Sequence, residues 1–131
     1  MNPNNARLQS LFLLITAAGL TPIALIYGIA PEKSLPYLFG IDASGVDTRH
    51  IFKAFMGLYL ALVGFWIAGA LRPKLRLPAL WSLFIFMVGL ALGRIFSLLV
   101  DGWPSGLLMF YLFLEVSFGA MGWWLLKAQK P

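Results

Sequence analysis

The chain has no cysteine and a single histidine, His50. Without cysteine there is no disulfide, no thiolate metal site and no thiol nucleophile within it. One histidine cannot supply a bis-histidine haem or a multi-histidine metal centre. Charge is scarce too. Only 11% of the 131 residues are charged and 60% are hydrophobic, whereas a soluble domain carries about 25% charged residues. So few charges cannot cover a soluble surface of this size, and a bilayer is the natural solvent. No phosphate-binding glycine loop is present, no serine has a histidine–carboxylate relay in reach, and no cofactor is expected.

What the chain has is four long apolar runs. A membrane-spanning helix needs roughly 20 apolar residues. The first run, Leu8 to Ala30, carries no charge between Arg7 and Glu32. It is too long for the apolar region of a signal peptide, despite the small residues Gly28 and Ala30. Thr21-Pro22 is expected to kink it and Pro31 to end it. The other spans run from about Ile51 to Leu71, Ala79 to Val100 and Leu107 to Leu126. The expected fold is an all-α membrane protein, a four-transmembrane-helix bundle forming a single domain over residues 1–131.

Residues 31–50 read as the one long loop, with Tyr37 to Ile41 as a short interfacial segment. Asp47 or Thr48 is the expected cap of the second span. His50 reads as an interfacial loop residue. Arg72 to Pro78, with its two prolines and three cations, reads as a tight basic turn, and Asp101 to Gly106 as a compact one.

The charges suggest an orientation. Four spans bring both termini to one side. That side carries Arg7, Arg72, Lys74, Arg76, Lys127 and Lys130 and no acidic residue; the other carries Glu32, Asp42, Asp47 and Asp101 among fewer cations. The positive-inside rule then places both termini in the cytoplasm. Trp81, Trp123 and Trp124 fall near the inner interface, and Tyr27, Tyr37 and Trp103 near the outer. The net charge of +5 is therefore topological and does not point to nucleic acid. The lipid bilayer is the expected partner, with other membrane subunits or a second copy as further ones.

Small residues mark possible close helix approaches: Gly89 and Gly93, Gly57 and Ala61, Gly119 and Gly122. Ordinary bundle packing is the favoured reading over a homodimer seam. Met56, Met87, Met109 and Met121 read as core filling rather than a metal path.

Two ionisable residues interrupt the spans. Arg94 lies roughly 10 Å below the outer end of its helix, and Glu115 roughly 15 Å below its own. Helical side chains lean toward their own N-terminus, so on these antiparallel neighbours the two lean together. An unpaired charge at this depth costs about 3 kcal/mol or more, so an ion pair is expected. Helical spacing adds Ser97 and Asp101 beside Arg94, Tyr111 beside Glu115, and Lys53 from the second span. Lys53, Arg94, Ser97, Asp101, Tyr111 and Glu115 form the candidate ligand-binding cluster. A self-satisfied plug that fixes helix register is the competing reading. No residue is assigned a catalytic or metal-binding role.

Gly93-Arg94-Ile95-Phe96-Ser97, Asp101-Gly102-Trp103-Pro104, Glu115 and the stretch Arg49 to Tyr59 resemble a family of small four-helix bacterial inner-membrane proteins classed as a domain of unknown function. More loosely, the layout is similar to DoxX-like four-helix proteins, some of them subunits of quinone-linked oxidoreductases. The resemblance covers nearly the whole chain. It implies a fold and a bacterial inner-membrane setting, and no activity. Small size and short loops make a structural or accessory membrane subunit the leading expectation. Binding or transport of a small amphiphile or anion at the outer-half cluster is the alternative, and a membrane-embedded enzyme ranks third.

Overall fold

The computed structural model describes residues 2–128; Lys130, counted above among the terminal cations, lies outside them. Five helices make up the described chain: α1 Pro3–Gly28, α2 Pro31–Phe39, α3 Val46–Leu71, α4 Pro73–Asp101 and α5 Gly106–Lys127. All but α2 are long and apolar enough to cross a membrane.

Proline starts helices here more often than it stops them. At the first helical position its missing N–H is no loss and its fixed φ suits the helix. Pro3, Pro31 and Pro73 all sit there. Hence the stretch from Pro31, read above as loop, is helix as far as Phe39. The basic turn shrinks to Arg72, with Pro78 inside α4. Gly40 closes α2 with φ +67°, a conformation glycine adopts without steric cost. Only residues 40–45 remain outside helices in this connection. Asp47 and Thr48 do not cap α3. Gly45 holds that position without a side-chain bond, so Asp47 lies in the first turn and His50 is helical rather than in a loop. Pro22 lies within a continuous α1; beside it the Thr21 hydroxyl donates to the Ala17 carbonyl at 2.7 Å.

Side-chain bonds to helix-end carbonyls gather one end of the bundle. Ser10 of α1 and Arg76 of α4 both donate to Ala70 O of α3, at 3.0 and 3.1 Å. Buried Gln9 donates to Leu125 O of α5 at 3.2 Å, and Asn5 to Ala128 O at 3.4 Å. The start of α1, the α3–α4 turn and the end of α5 therefore meet. This is an up-down-up-down bundle with a basic end. Glu32, Asp42, Asp47 and Asp101 lie toward the opposite, acidic end.

The core is the facing stripes of α1, α3 and α4. Leu13, Ala17 and Leu20 pack with Val63, Trp66, Leu80 and Leu83. The buried Trp66 indole donates to Ser82 Oγ at 3.0 Å. Close approach is bought by glycine at two places. A Cβ on Gly28 would collide with Met56 of α3, and one on Gly69 with Ala79 of α4. Gly119 and Gly122 also face neighbouring helices, within 3.9 Å of their side chains. Gly57, Gly89 and Gly93 do not: a Cβ there would meet nothing within 4 Å. At these three the bundle-packing reading does not hold, because no helix packs directly onto the glycine. Outward-facing apolar side chains, such as Phe96 at 68% and Leu99 at 82% exposed, suit lipid contact.

Candidate polar site at the acidic half of the bundle

α4 packs against both α3 and α5, while the backbones of α3 and α5 make no close approach among the described residues. α1 lies broadly on α3 and meets α4 and α5 only over small areas. The site sits where this bundle is loosest.

Arg94 and Glu115 pair as their inward and outward lean requires. Arg94 Nε donates to Oε1 and Oε2 of Glu115, both at 2.8 Å. Glu115 is buried and Arg94 keeps 25% of its side chain exposed. The single Nε–H thus faces both carboxylate oxygens, and the fork of Nη donors is left over. Both hydrogen bonds to Glu115 come from Nε, and neither uses Nη1 or Nη2. The Tyr27 hydroxyl lies near enough to interact with the guanidinium. The Tyr111 ring stands under it, with Cζ 5.7 Å from the ring centroid, within cation–π range.

Two cavities meet at this guanidinium. The inner one, about 100 Å³, lies among α1, α3, α4 and α5 and is lined by Tyr27, Tyr59, Arg94, Tyr111 and Glu115 over an apolar floor that includes Leu20 and Met87. The second, about 630 Å³, is a lateral groove lined from α3, α4 and α5. Tyr27, Tyr59, Phe86, Leu90 and Arg94 line both.

The structure brings three members of the expected cluster together: Arg94, Glu115 and Tyr111. Ser97 lines the groove, but its hydroxyl donates to Asp101 at 2.9 Å rather than joining the ion pair. Asp101 is the last residue of α4 and exposed, roughly 10 Å along the helix from Arg94. Lys53 stays exposed with no ion pair among the described residues. Its helix runs away from the acidic end, so its side chain leans back toward that end and away from Arg94.

Tyr27 and Tyr59 were missed. The Tyr27 ring packs against Tyr59 at 5.9 Å, Phe52 at 5.7 Å and Phe39 of α2 at 6.2 Å. A helical signal did exist. Tyr59 continues the buried stripe Val63, Trp66, Ala70, and Tyr27 follows Leu20 and Ile23 on the buried face of α1. A phenol on such a stripe needs a polar neighbour.

The family described as Domain of unknown function (DUF4345) matches residues 8–126. The chain belongs to this family. The match takes in all four spans, so the DUF4345 unit here is the whole helical bundle with Arg94 and Glu115 inside it. Comparison with curated proteins and with solved structures gave no match.

Proposed function

We propose that this DUF4345 protein binds a small membrane amphiphile, holding an oxygen of its head group at Arg94. The observation that supports this is the division of labour within one guanidinium. Nε is committed to Glu115 and the Tyr27 hydroxyl reaches the guanidinium, while the remaining Nη donors stand at two cavities. A cluster that served only to fix helix register, or an accessory subunit with no ligand, has no need of that space. Donors facing a low-dielectric interior without acceptors are costly, and a bound oxygen removes the cost.

The charge balance favours a neutral head group. Glu115 already neutralises Arg94, and the other polar groups lining the inner cavity are phenols and the Thr16 hydroxyl. An anion would meet the carboxylate as well as the guanidinium. A carbonyl or hydroxyl oxygen gains the hydrogen bonds without that repulsion. The inner cavity has room for a head group and not for a whole amphiphile; an apolar cavity of about 150 Å³ holds benzene.

We take the chain to sit in a bacterial inner membrane, as the family resemblance implies, with both termini cytoplasmic on the strength of the basic end. Arg94 and Glu115 then lie in the outer half. Native mass spectrometry after release from nanodiscs tests the proposal. Wild type should carry a lipid-range adduct that Arg94→Gln loses. A bare wild-type chain, or equal adducts on both proteins, would contradict it.

A further inference from the structure

Gly89 and Gly93 have no packing partner, yet they are not on a featureless lipid face. They line the lateral groove between Phe55 and Leu58 of α3 and Leu112 of α5. Gly89, Gly93 and Ile85 of α4 are all exposed, so the groove opens sideways. Side chains at the two glycines would narrow it, and no neighbouring helix requires their absence.

The groove has a polar station and an apolar run. Arg94 lines it, and from there to Ile85 α4 descends roughly 14 Å, about half of a hydrocarbon core roughly 30 Å thick. An amphiphile with its oxygen at Arg94 and its chain along the glycines would point its tail toward the bilayer midplane. That is how a lipid of the outer leaflet already lies.

We propose that this groove holds the apolar chain of the ligand, which therefore reaches Arg94 sideways from the outer leaflet and not from water. The inference rests on the head-group reading above. A second copy of the chain is a poorer occupant. The carbonyls within a membrane helix are already bonded within that helix, so a helix laid on the glycines would give the Arg94 donors nothing to bond.

The test uses the full chain in nanodiscs and a monoacylglycerol carrying a diazirine in mid-chain, with photolabelled residues mapped by mass spectrometry. Wild type should be labelled at Leu58, Ile85 and Leu112. Filling the groove with Gly89→Leu and Gly93→Leu should cut that labelling at least tenfold. Gly57→Leu, in equally open space outside the groove, should not. Leu58→Trp fills the same groove from α3 and should reproduce the loss, which covers failure of the glycine variant to fold. A glycerol ester with a four-carbon diazirine chain should still label Tyr59 or Tyr111 in the filled variants. Undiminished long-chain labelling after filling would overturn the inference. So would a wild-type dimer that the glycine substitutions break. If Arg94→Gln takes up both probes as wild type does, the head-group reading fails instead.

Discussion

Arg94 meets Glu115 through one nitrogen, Nε, which stands 2.8 Å from each carboxylate oxygen. Both groups are thereby held among apolar side chains inside the bundle, and each should depend on the other. Arg94→Met and Glu115→Gln should each lower stability, by about 3 kcal/mol for a fully buried pair and less here because Arg94 is partly exposed. The double substitution removes both desolvation costs and should be less damaging than the sum. A thermal-unfolding cycle in nanodiscs reads the coupling. Additive single effects would mean that the pair contributes nothing to the fold.

Gly28 and Gly69 set the closest helix contacts, so alanine there should be poorly tolerated. Overpacking of a fitted contact costs about 1–3 kcal/mol. Gly89→Ala and Gly93→Ala enter open space, and alanine exceeds glycine in helix propensity by about 1 kcal/mol. The first pair should lower the melting temperature and the second hold or raise it. The opposite ranking would place the glycines wrongly.

These contrasts show what the sequence reveals and where it stops. Hydropathy marks the four spans because bilayer thickness sets their length. The Arg94–Glu115 pair is legible because a short turn makes α4 and α5 antiparallel neighbours, and side-chain lean does the rest. Tyr27 and Tyr59 are not reachable that way. Their buried stripes are visible in the sequence, but their position beside Arg94 depends on how α1 seats on α3 for Tyr27 and how α3 seats on α4 for Tyr59, which helix spacing alone does not give. The spacing of Gly89 and Gly93 matches a packing motif, but spacing cannot tell a helix neighbour from an empty groove. Lys53 shares the right depth, and only the direction of its helix turns it away.

Asp42 lies in the turn after α2 and accepts the Ser44 N–H at 3.0 Å. That bond holds its carboxyl below the usual carboxylate range. A depressed folded-state pKa gives a contribution present above the unfolded value, near 3.9, and lost as pH falls through the folded one. A carbon-detected NMR titration should find the Asp42 midpoint below that of an unstructured aspartate. Ser44 amide exchange should quicken only at still lower pH. A midpoint at the ordinary value would remove the turn from the account.

Because the chain has no cysteine, an introduced one is its sole thiol. The proposed orientation, with both termini cytoplasmic, predicts that Ser44→Cys reacts with an impermeant maleimide on intact cells. Lys74→Cys should react only after permeabilisation. Reversed labelling would invert the bundle and move the groove to the other leaflet.

In the proposed function Glu115 takes Nε and leaves the remaining Arg94 donors for a ligand. Arg94→Lys separates these roles, since lysine keeps the charge for Glu115 but has no planar fork of donors. The direct measurement is labelling by the short-chain glycerol ester in nanodiscs, read beside the melting temperature. Arg94→Lys should melt closer to wild type than Arg94→Met does, while its labelling falls to the level of Arg94→Gln. Labelling equal to wild type at that position would contradict the account.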